Sequence, residues 1–191
     1  MAVSAPAASD DKVLSSTDDQ ADPPVVEKSG YAPQTLDDFF AVLSAAPDEP
    51  SAKAAEAQIW RMWNESGSVT VDLLMQRARS AMNKKSYSRA LQILDSVIEL
   101  DPEYAEGWNR RATVHFLMEN FGESLGDIQR TIALEPRHFG AISGMAMIFQ
   151  RIGDDEAALE AYRRVLSIHP FMGDAEKAVE DLADDVEGRG I

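Results

Sequence analysis

The stretch AEGWNRRATVHFLMENFGESLGDIQRTIALEPRH, residues 105–138, decides the fold of this chain. It closes on a Leu-Glu-Pro triplet at Pro136, and related Leu-Asp-Pro and Ile-His-Pro triplets close at Pro102 and Pro170. The three prolines are therefore 34 residues apart in both intervals. A fixed period of this length predicts three copies of one structural unit between residues 69 and 170.

Small and large side chains keep the same register in every unit. With the proline counted as position 32, position 8 is always alanine and position 20 is alanine or serine, whereas positions 4 and 24 are large and apolar. Small side chains let two helices approach closely, so each unit is expected to be a helical hairpin. In chain order, the residues at positions 4, 8, 20 and 24 are Leu74, Ala78, Ala90, Leu94, Trp108, Ala112, Ser124, Ile128, Ile142, Ala146, Ala158 and Tyr162.

Units with these features resemble tetratricopeptide repeats (TPRs), most closely over residues 105–113. The whole chain also resembles uncharacterised TPR proteins of Gram-negative bacteria, some of them exported. The resemblance implies an all-α superhelix of three repeats. The implied repeats cover about 71–104, 105–138 and 139–170.

Two positions depart from the usual TPR pattern. Position 7, usually leucine, is Arg77 and Arg111 in the first two units, and position 11, usually tyrosine, is Ala81, His115 and Phe149. These departures weaken individual units more than the assignment. His115 is expected to be a core histidine, because position 11 packs between helices.

Both flanks of the repeats carry helical patterns. Thr35 and Ser51 are placed to be N-caps of two helices, which make residues 34–68 a helical hairpin anchored by Trp60 and Trp63. Stacked repeats need covers at both open ends, so we expect this hairpin to cap the N-terminal end. We expect residues 171–191 to form a C-terminal capping helix, frayed at its last three residues, with an apolar stripe of Met172, Ala175, Ala178, Val179 and Leu182.

Residues 1–33 are rich in Ala, Ser, Asp and Pro and are predicted to be a disordered acidic tail. The segment from Ala2 to Ala8 resembles the end of a signal peptide but lacks the basic and long apolar regions. Export to the periplasm is one interpretation, if a signal sequence lies upstream of this start. A cytoplasmic protein with a disordered tail is the other.

Composition excludes several classes of function. The chain has 33 acidic and 18 basic residues, a net charge of −15, which disfavours nucleic acid and anionic lipid as partners. It has no cysteine, no run of about 20 apolar residues that could span a membrane, and no two histidines at metal-ligand spacing. We find neither a nucleophile with a base nor a nucleotide-binding motif, so we expect no enzyme, cofactor or metal.

The resemblance also implies where a partner would bind. In TPR proteins the first helix of each repeat lines a concave groove, and positions 2, 5, 6, 9, 12 and 13 point into it. A mixture of amide, arginine and soft apolar groups at these positions suits an extended peptide or a partner helix. The candidate groove residues are Gln76, Arg79, Asn109, Arg110, Thr113, Ser143, Met147, Gln150 and Arg151.

Two features of the groove leave alternatives open. Arg79, Arg110 and Arg151 either bind an acidic segment or C-terminal carboxylate of a partner, or only pair with neighbouring acids. The lysine and asparagine pattern of chaperone-binding TPRs is not seen, so that class of partner is not supported. Gly140 and Gly144, each costing about 1 kcal/mol against alanine in a helix, serve either a ligand or close helix packing.

The functional prediction is a non-catalytic adaptor that binds a peptide or partner segment in the groove. The alternative is a self-associating scaffold, in which the tail or the C-terminal helix of one copy fills the groove of another. The sequence names neither the partner nor the pathway.

Overall fold

The structure, a computed structural model, describes residues 34–188. The predicted tail at 1–33 and the predicted frayed end at 189–191 lie outside the described residues. Within residues 34–188 the chain forms nine α-helices and no strand. The helices are α1 (Leu36–Ser44), α2 (Glu49–Trp63), α3 (Val69–Asn83), α4 (Tyr87–Leu100), α5 (Ala105–Leu117), α6 (Phe121–Leu134), α7 (Phe139–Ile152), α8 (Asp155–Ile168) and α9 (Gly173–Gly188).

The predicted superhelix of helix pairs is confirmed. The pairs are α3 with α4, α5 with α6, and α7 with α8, and each pair also packs on the next one along the chain. The small residues at positions 8 and 20 are buried where the two helices of each pair meet, and the Ser124 hydroxyl donates a 2.8 Å hydrogen bond to the Ala112 carbonyl there. None of the described helices is long and apolar enough to cross a lipid bilayer.

The helix starts are set by side-chain caps. Thr35 and Asp38 form a capping box at α1, as the N-cap prediction requires. Ser51 is not the N-cap of α2: Asp48 accepts a 2.9 Å hydrogen bond from the Ser51 backbone N–H, and the helix begins at Glu49. The helix starts earlier than predicted because the first turn tolerates Pro50 and the Asp48 carboxylate is a strong cap.

Arg111 at position 7 takes the place of the usual leucine by means of ion pairs. Its guanidinium donates two 2.8 Å hydrogen bonds to Asp127 of α6 and one to Asp95 of the preceding repeat. The same group lies 5.0 Å from the centre of the Trp108 ring. A planar guanidinium that donates two hydrogen bonds to one carboxylate can therefore fill an inter-repeat position that a leucine fills elsewhere.

The predicted position of the N-terminal hairpin is wrong. The hairpin of α1 and α2 lies on the third repeat, where Ile59 and Trp63 share a core with Phe139 and Ile142 of α7. At the edge of this contact, Arg137 forms a 2.7 Å ion pair with Asp37. The large apolar face of α7 needs cover, and burying a side chain such as Phe139 stabilises the fold by about 2–3 kcal/mol, so the hairpin folds back onto it.

The C-terminal helix α9 covers the C-terminal end of the repeats, as predicted. Ala175 and Leu182 are buried against α8, in the same core that contains the hairpin. Met172, Ala178 and Val179 are half-buried beside them. The hairpin, the third repeat and α9 therefore form one continuous hydrophobic core.

Candidate functional site

An open pocket lies on the groove face between α5 and α7, and we call it the α5–α7 pocket. Its volume is about 310 Å³. Four of the predicted groove residues line it: Asn109, Thr113, Ser143 and Met147. The other residues that line it are Ala112, Phe116, Leu117, Ser124, Ile128, Gly140, Ala141, Gly144 and Met172.

The α5–α7 pocket has an apolar floor, and none of the described residues that line it is charged. Ala112, Ile128 and Ala141 at the floor are almost fully buried, whereas Leu117 and Met147 at the rim are 46% and 42% exposed. Asn109, Thr113 and Ser143 supply the polar groups of the wall. Apolar pockets of this size with a few polar groups are typical binding sites for apolar side chains or small ligands.

The structure separates the two glycines, for which the sequence left two purposes open. A Cβ atom on Gly140 would lie 2.7 Å from Trp60 of α2, so glycine is needed there for close helix packing. A Cβ on Gly144 would be 3.7 Å from Ile128, an ordinary contact distance. Packing therefore does not require Gly144, and its missing side chain leaves the α5–α7 pocket open.

Two of the three groove arginines converge on one acceptor. Arg79 of α3 and Arg110 of α5 donate hydrogen bonds of 2.9 and 3.4 Å to the side-chain oxygen of Asn64, which follows α2. Arg110 is also paired with Glu106 at 2.6 Å, as the internal-pairing alternative expected. Arg79 is exposed and keeps guanidinium donors that face solvent. Arg151 is exposed in the last turn of α7.

A buried carboxylate lies beneath this arginine pair. Glu106 is 1% exposed although it occupies a groove position. It accepts hydrogen bonds from Asn109 at 2.8 Å and from His138 at 3.2 Å, besides its ion pair with Arg110. Burial acts to raise the pKa of Glu106, but the hydrogen bond from His138 and the charge of Arg110 outweigh it, so the pKa lies below its ordinary value.

His138 joins this network to the hairpin. Its ring stacks on Trp63 of α2, with ring centres 4.0 Å apart. Its Nδ1 atom accepts a 3.1 Å hydrogen bond from the Ala141 N–H and caps α7. Nδ1 is therefore unprotonated, and Nε2 carries the proton that is donated to Glu106. Trp63 thus anchors α2, as predicted for the tryptophans.

The remaining predicted groove residues lie outside the α5–α7 pocket. Gln76 is exposed on α3, and Gln150 accepts a 2.8 Å hydrogen bond from the Tyr162 hydroxyl. Sequence reasoning did not select Glu106 as a site residue, although the four-residue spacing of Glu106 and Arg110 is a sign of an ion pair on one helix face. No sequence signal indicates that Asn64 reaches the groove.

Comparison with known proteins identifies the family. A tetratricopeptide-repeat family profile matches residues 141–171. A TPR repeat-containing protein of Rhizobium etli is 44% identical over 155 residues, which cover 81% of this chain and 76% of that protein. This chain belongs to the TPR repeat-containing proteins.

More distant TPR proteins agree. The small glutamine-rich tetratricopeptide repeat-containing protein 2 of Saccharomyces cerevisiae is 27% identical, over 85% of this chain and 46% of that protein. The crystal structure of MamA is similar, with a TM-score of 0.57 and 21% identity over 80% of this chain and 77% of MamA. The first TPR domain of Spaghetti (RPAP3), solved with the HSP90 peptide SRMEEVD, has a TM-score of 0.58 and 19% identity, over 61% and 93% of the two chains. Both structures agree with the TPR fold described above.

The prediction that His115 is a core histidine is wrong. His115 at position 11 is only half-buried, whereas His138 and His169 at the repeat ends are almost fully buried. His169 lies 3.3 Å from the Glu56 carboxylate of α2 and 5.2 Å, ring to ring, from Phe139. The folded-back hairpin covers these two histidines. Within residues 34–188 no group of three or more His, Asp or Glu side chains could hold a metal ion.

Proposed function

We propose that this TPR protein is a non-catalytic interaction module that binds a segment of a partner protein in its concave groove. The observation that carries the proposal is the α5–α7 pocket, which is open, uncharged and lined by groove positions. We infer that it receives one large apolar side chain of the partner. Family membership supports this role, because a TPR domain of the same fold has been solved with a bound peptide.

The hairpin limits the size of the partner segment. Trp60, Trp63 and Asn64 lie against groove residues of α3, α5 and α7, so the groove surface left free is short. A short contact of this kind gives a weak complex, with a Kd of about 1 μM, which corresponds to a binding free energy of about −8 kcal/mol. The partner is therefore expected to exchange rapidly.

A carboxylate of the partner is the second recognition element in this proposal. Asn64 already supplies Arg79 and Arg110 with a side-chain oxygen, the kind of acceptor that a carboxylate would supply more strongly. Arg110 is held by Glu106, whereas Arg79 is exposed. We infer that Arg79 binds an acidic side chain or a C-terminal carboxylate next to the apolar anchor.

The test of the pocket is a selection of random peptides displayed on phage against the immobilised full chain, followed by calorimetry. Gly144→Leu fills the α5–α7 pocket, and Gly126→Leu is the matched control because a Cβ atom on Gly126 of α6 would meet no described atom within 4 Å. Selected peptides should share a large apolar residue and bind the wild-type chain and the control equally. Gly144→Leu should weaken binding at least about tenfold, or 1.4 kcal/mol. Equal binding to all three chains would disprove the role of the pocket.

The carboxylate is tested separately with Arg79→Ala. Replacing Arg110 as well would leave Glu106 buried without its ion-pair partner, so Arg79 alone is the informative position. Arg79→Ala should weaken binding of peptides with an acidic group and leave their amidated analogues unaffected. Arg61→Ala, at an exposed arginine paired with Glu65, is the control. If the acidic and amidated forms respond alike, Arg79 does not bind the carboxylate.

The alternative function, a scaffold in which one copy fills the groove of another, cannot be tested by deleting α9. Removing residues 171–191 would uncover the core against which Ala175 and Leu182 pack. For the same reason, α9 could fill a neighbour's groove only by leaving the core of its own chain. Sedimentation of Gly144→Leu avoids this problem. Self-association that this variant abolishes would support a groove filled by another copy, and self-association that survives would exclude it.

A further inference from the structure

The end of the solenoid formed by α3 and α4 carries an open, positively charged surface, which we call the basic end face. A depression of about 360 Å³ is lined there by Arg77, Lys84 and Arg89, by two serine hydroxyls, and by the apolar floor residues Ala81 and Ile93. The three basic side chains are exposed, whereas Ala81 and Ile93 are 8% and 9% exposed. Among the residues that the structure describes, no acidic residue lines this depression.

The repeat register shows that this surface is a stacking face without a neighbour. Arg77 corresponds to Arg111, 34 residues later, which bonds to Asp95 of the preceding repeat. Ser80 corresponds in the same way to Val114 and Ile148, which are fully buried. Within residues 34–188 these positions of the first repeat have no preceding repeat to meet, because the hairpin lies on the third repeat instead.

Charge on the basic end face is of one sign in an acidic protein. Residues 77–89 contain five basic residues and no acid, although the whole chain has a net charge of −15. Within the described part of the chain, no ion pair involves Arg77, Lys84 or Arg89. A polar surface is enough to keep a solenoid end soluble, but a patch of a single sign also attracts an acidic surface.

The opposite end of the solenoid carries the complementary charge. The described exposed residues of α9 include Asp174, Glu176, Glu180 and Asp181, against a single base, Lys177. The apolar stripe of α9 is held in the core, so these acids face away from the repeats. The protein therefore presents a basic helix pair at one end and an acidic helix at the other.

We propose that copies of this chain associate head to tail, with the acidic face of α9 of one copy on the basic end face of another. The contact places a helix where a preceding repeat would stack. Because its two surfaces differ, the association is heterologous and builds rings or open chains rather than a closed symmetric dimer. The small apolar floor makes the contact mainly electrostatic, and hence weak and sensitive to salt.

Sedimentation velocity of the full chain over a range of concentrations tests the proposal. Association should be present at about 10 mM salt and lost near 1 M, where the Debye length falls from about 30 to 3 Å. The double variants Arg77→Glu/Arg89→Glu and Glu176→Lys/Glu180→Lys should each sediment as monomers. The chain that combines all four substitutions should associate again, because both faces are reversed together. Circular dichroism checks that each variant is folded.

Two control variants, a deletion and the wild-type chain itself show whether the acidic face of α9 occupies the basic end face. Lys53→Glu, at an exposed lysine that pairs with Glu49, should leave association unchanged. Gly144→Leu should also leave it unchanged, which separates this contact from binding in the groove. Each of three outcomes would overturn the proposal. The wild-type chain could be monomeric at low salt, the chain with all four substitutions could stay monomeric, or deletion of residues 1–33 could abolish association.

Discussion

At the scale of single residues, the backbone conformation at position 15 repeats with the same 34-residue period as the sequence. Lys85, Glu119 and Gly153 are 34 residues apart, and each adopts left-handed backbone geometry, with φ of 57°, 61° and 82°. They lie in the turn between the two helices of each pair. Only glycine adopts this geometry without steric cost, so two of the three turns are strained.

We expect Glu119→Gly to raise the free energy of unfolding by about 0.5–1 kcal/mol, because it relieves left-handed strain at an exposed residue. Gly153→Ala should lower it by about 1 kcal/mol for the converse reason. Urea denaturation followed by circular dichroism measures both changes. Gly122→Ala, at a helical position with open space around it, is the control and should be stabilising. If Glu119→Gly is destabilising, the turn does not store strain.

At the scale of secondary-structure elements, the joint between α2, α5 and α7 depends on an ionised carboxylate. Glu106 has a lowered pKa in the folded protein, so the folded state binds its proton less readily than the unfolded state does. The stability it contributes is therefore complete above the unfolded pKa of about 4.3 and is lost as the pH falls through the lower folded pKa.

Glu106→Gln should accordingly reduce the free energy of unfolding by about 2 kcal/mol near pH 7, the value of hydrogen bonds to a buried charged group. The difference between wild type and variant should shrink as the pH falls from about 5 towards 3, since the wild-type carboxylate becomes protonated. Denaturant titrations at several pH values measure it. Glu160→Gln, on the exposed face of α8, should show no such dependence. A difference that is constant with pH would contradict the assignment.

At the scale of the whole molecule, stability is distributed unevenly. One core joins α1, α2, α7, α8 and α9, whereas the core of the first repeat contains α3 and α4 with only Tyr104 and Val114 from the next repeat. Solenoid repeats gain stability from their neighbours, and within residues 34–188 the first repeat stacks on another repeat on one side only. The two ends of the repeat array should therefore open separately.

Hydrogen exchange measured by mass spectrometry should show the slowest exchange in α7 and α8 and faster exchange in α3 and α4. Trp63→Ala, which removes a buried ring stacked on His138, should cost about 3–5 kcal/mol and speed exchange in α2, α7, α8 and α9. Its effect on α3 and α4 should be small. Equal protection along the whole chain would show that the molecule opens as one unit.

The repeat architecture could be predicted from the amino-acid pattern alone, because that architecture is local and repeated three times. Alanines at position 8 had to be buried, as Ala78, Ala112 and Ala146 are, and the stripe of α9 had to face the core. The resemblance to TPRs implied that Asn109, Thr113, Ser143 and Met147 are groove residues, and these four residues line the α5–α7 pocket.

The position of the N-terminal hairpin, in contrast, became known from the three-dimensional contacts and not from the sequence pattern. Its docking depends on the fit of Trp60 to Gly140 and of Trp63 to His138, contacts between residues more than 70 positions apart that no periodicity encodes. From that one placement follow the burial of Glu106, the sharing of Asn64 by Arg79 and Arg110, and the uncovered basic end face. A repeating pattern fixes how neighbours stack, whereas shape complementarity between distant segments fixes which surfaces remain free.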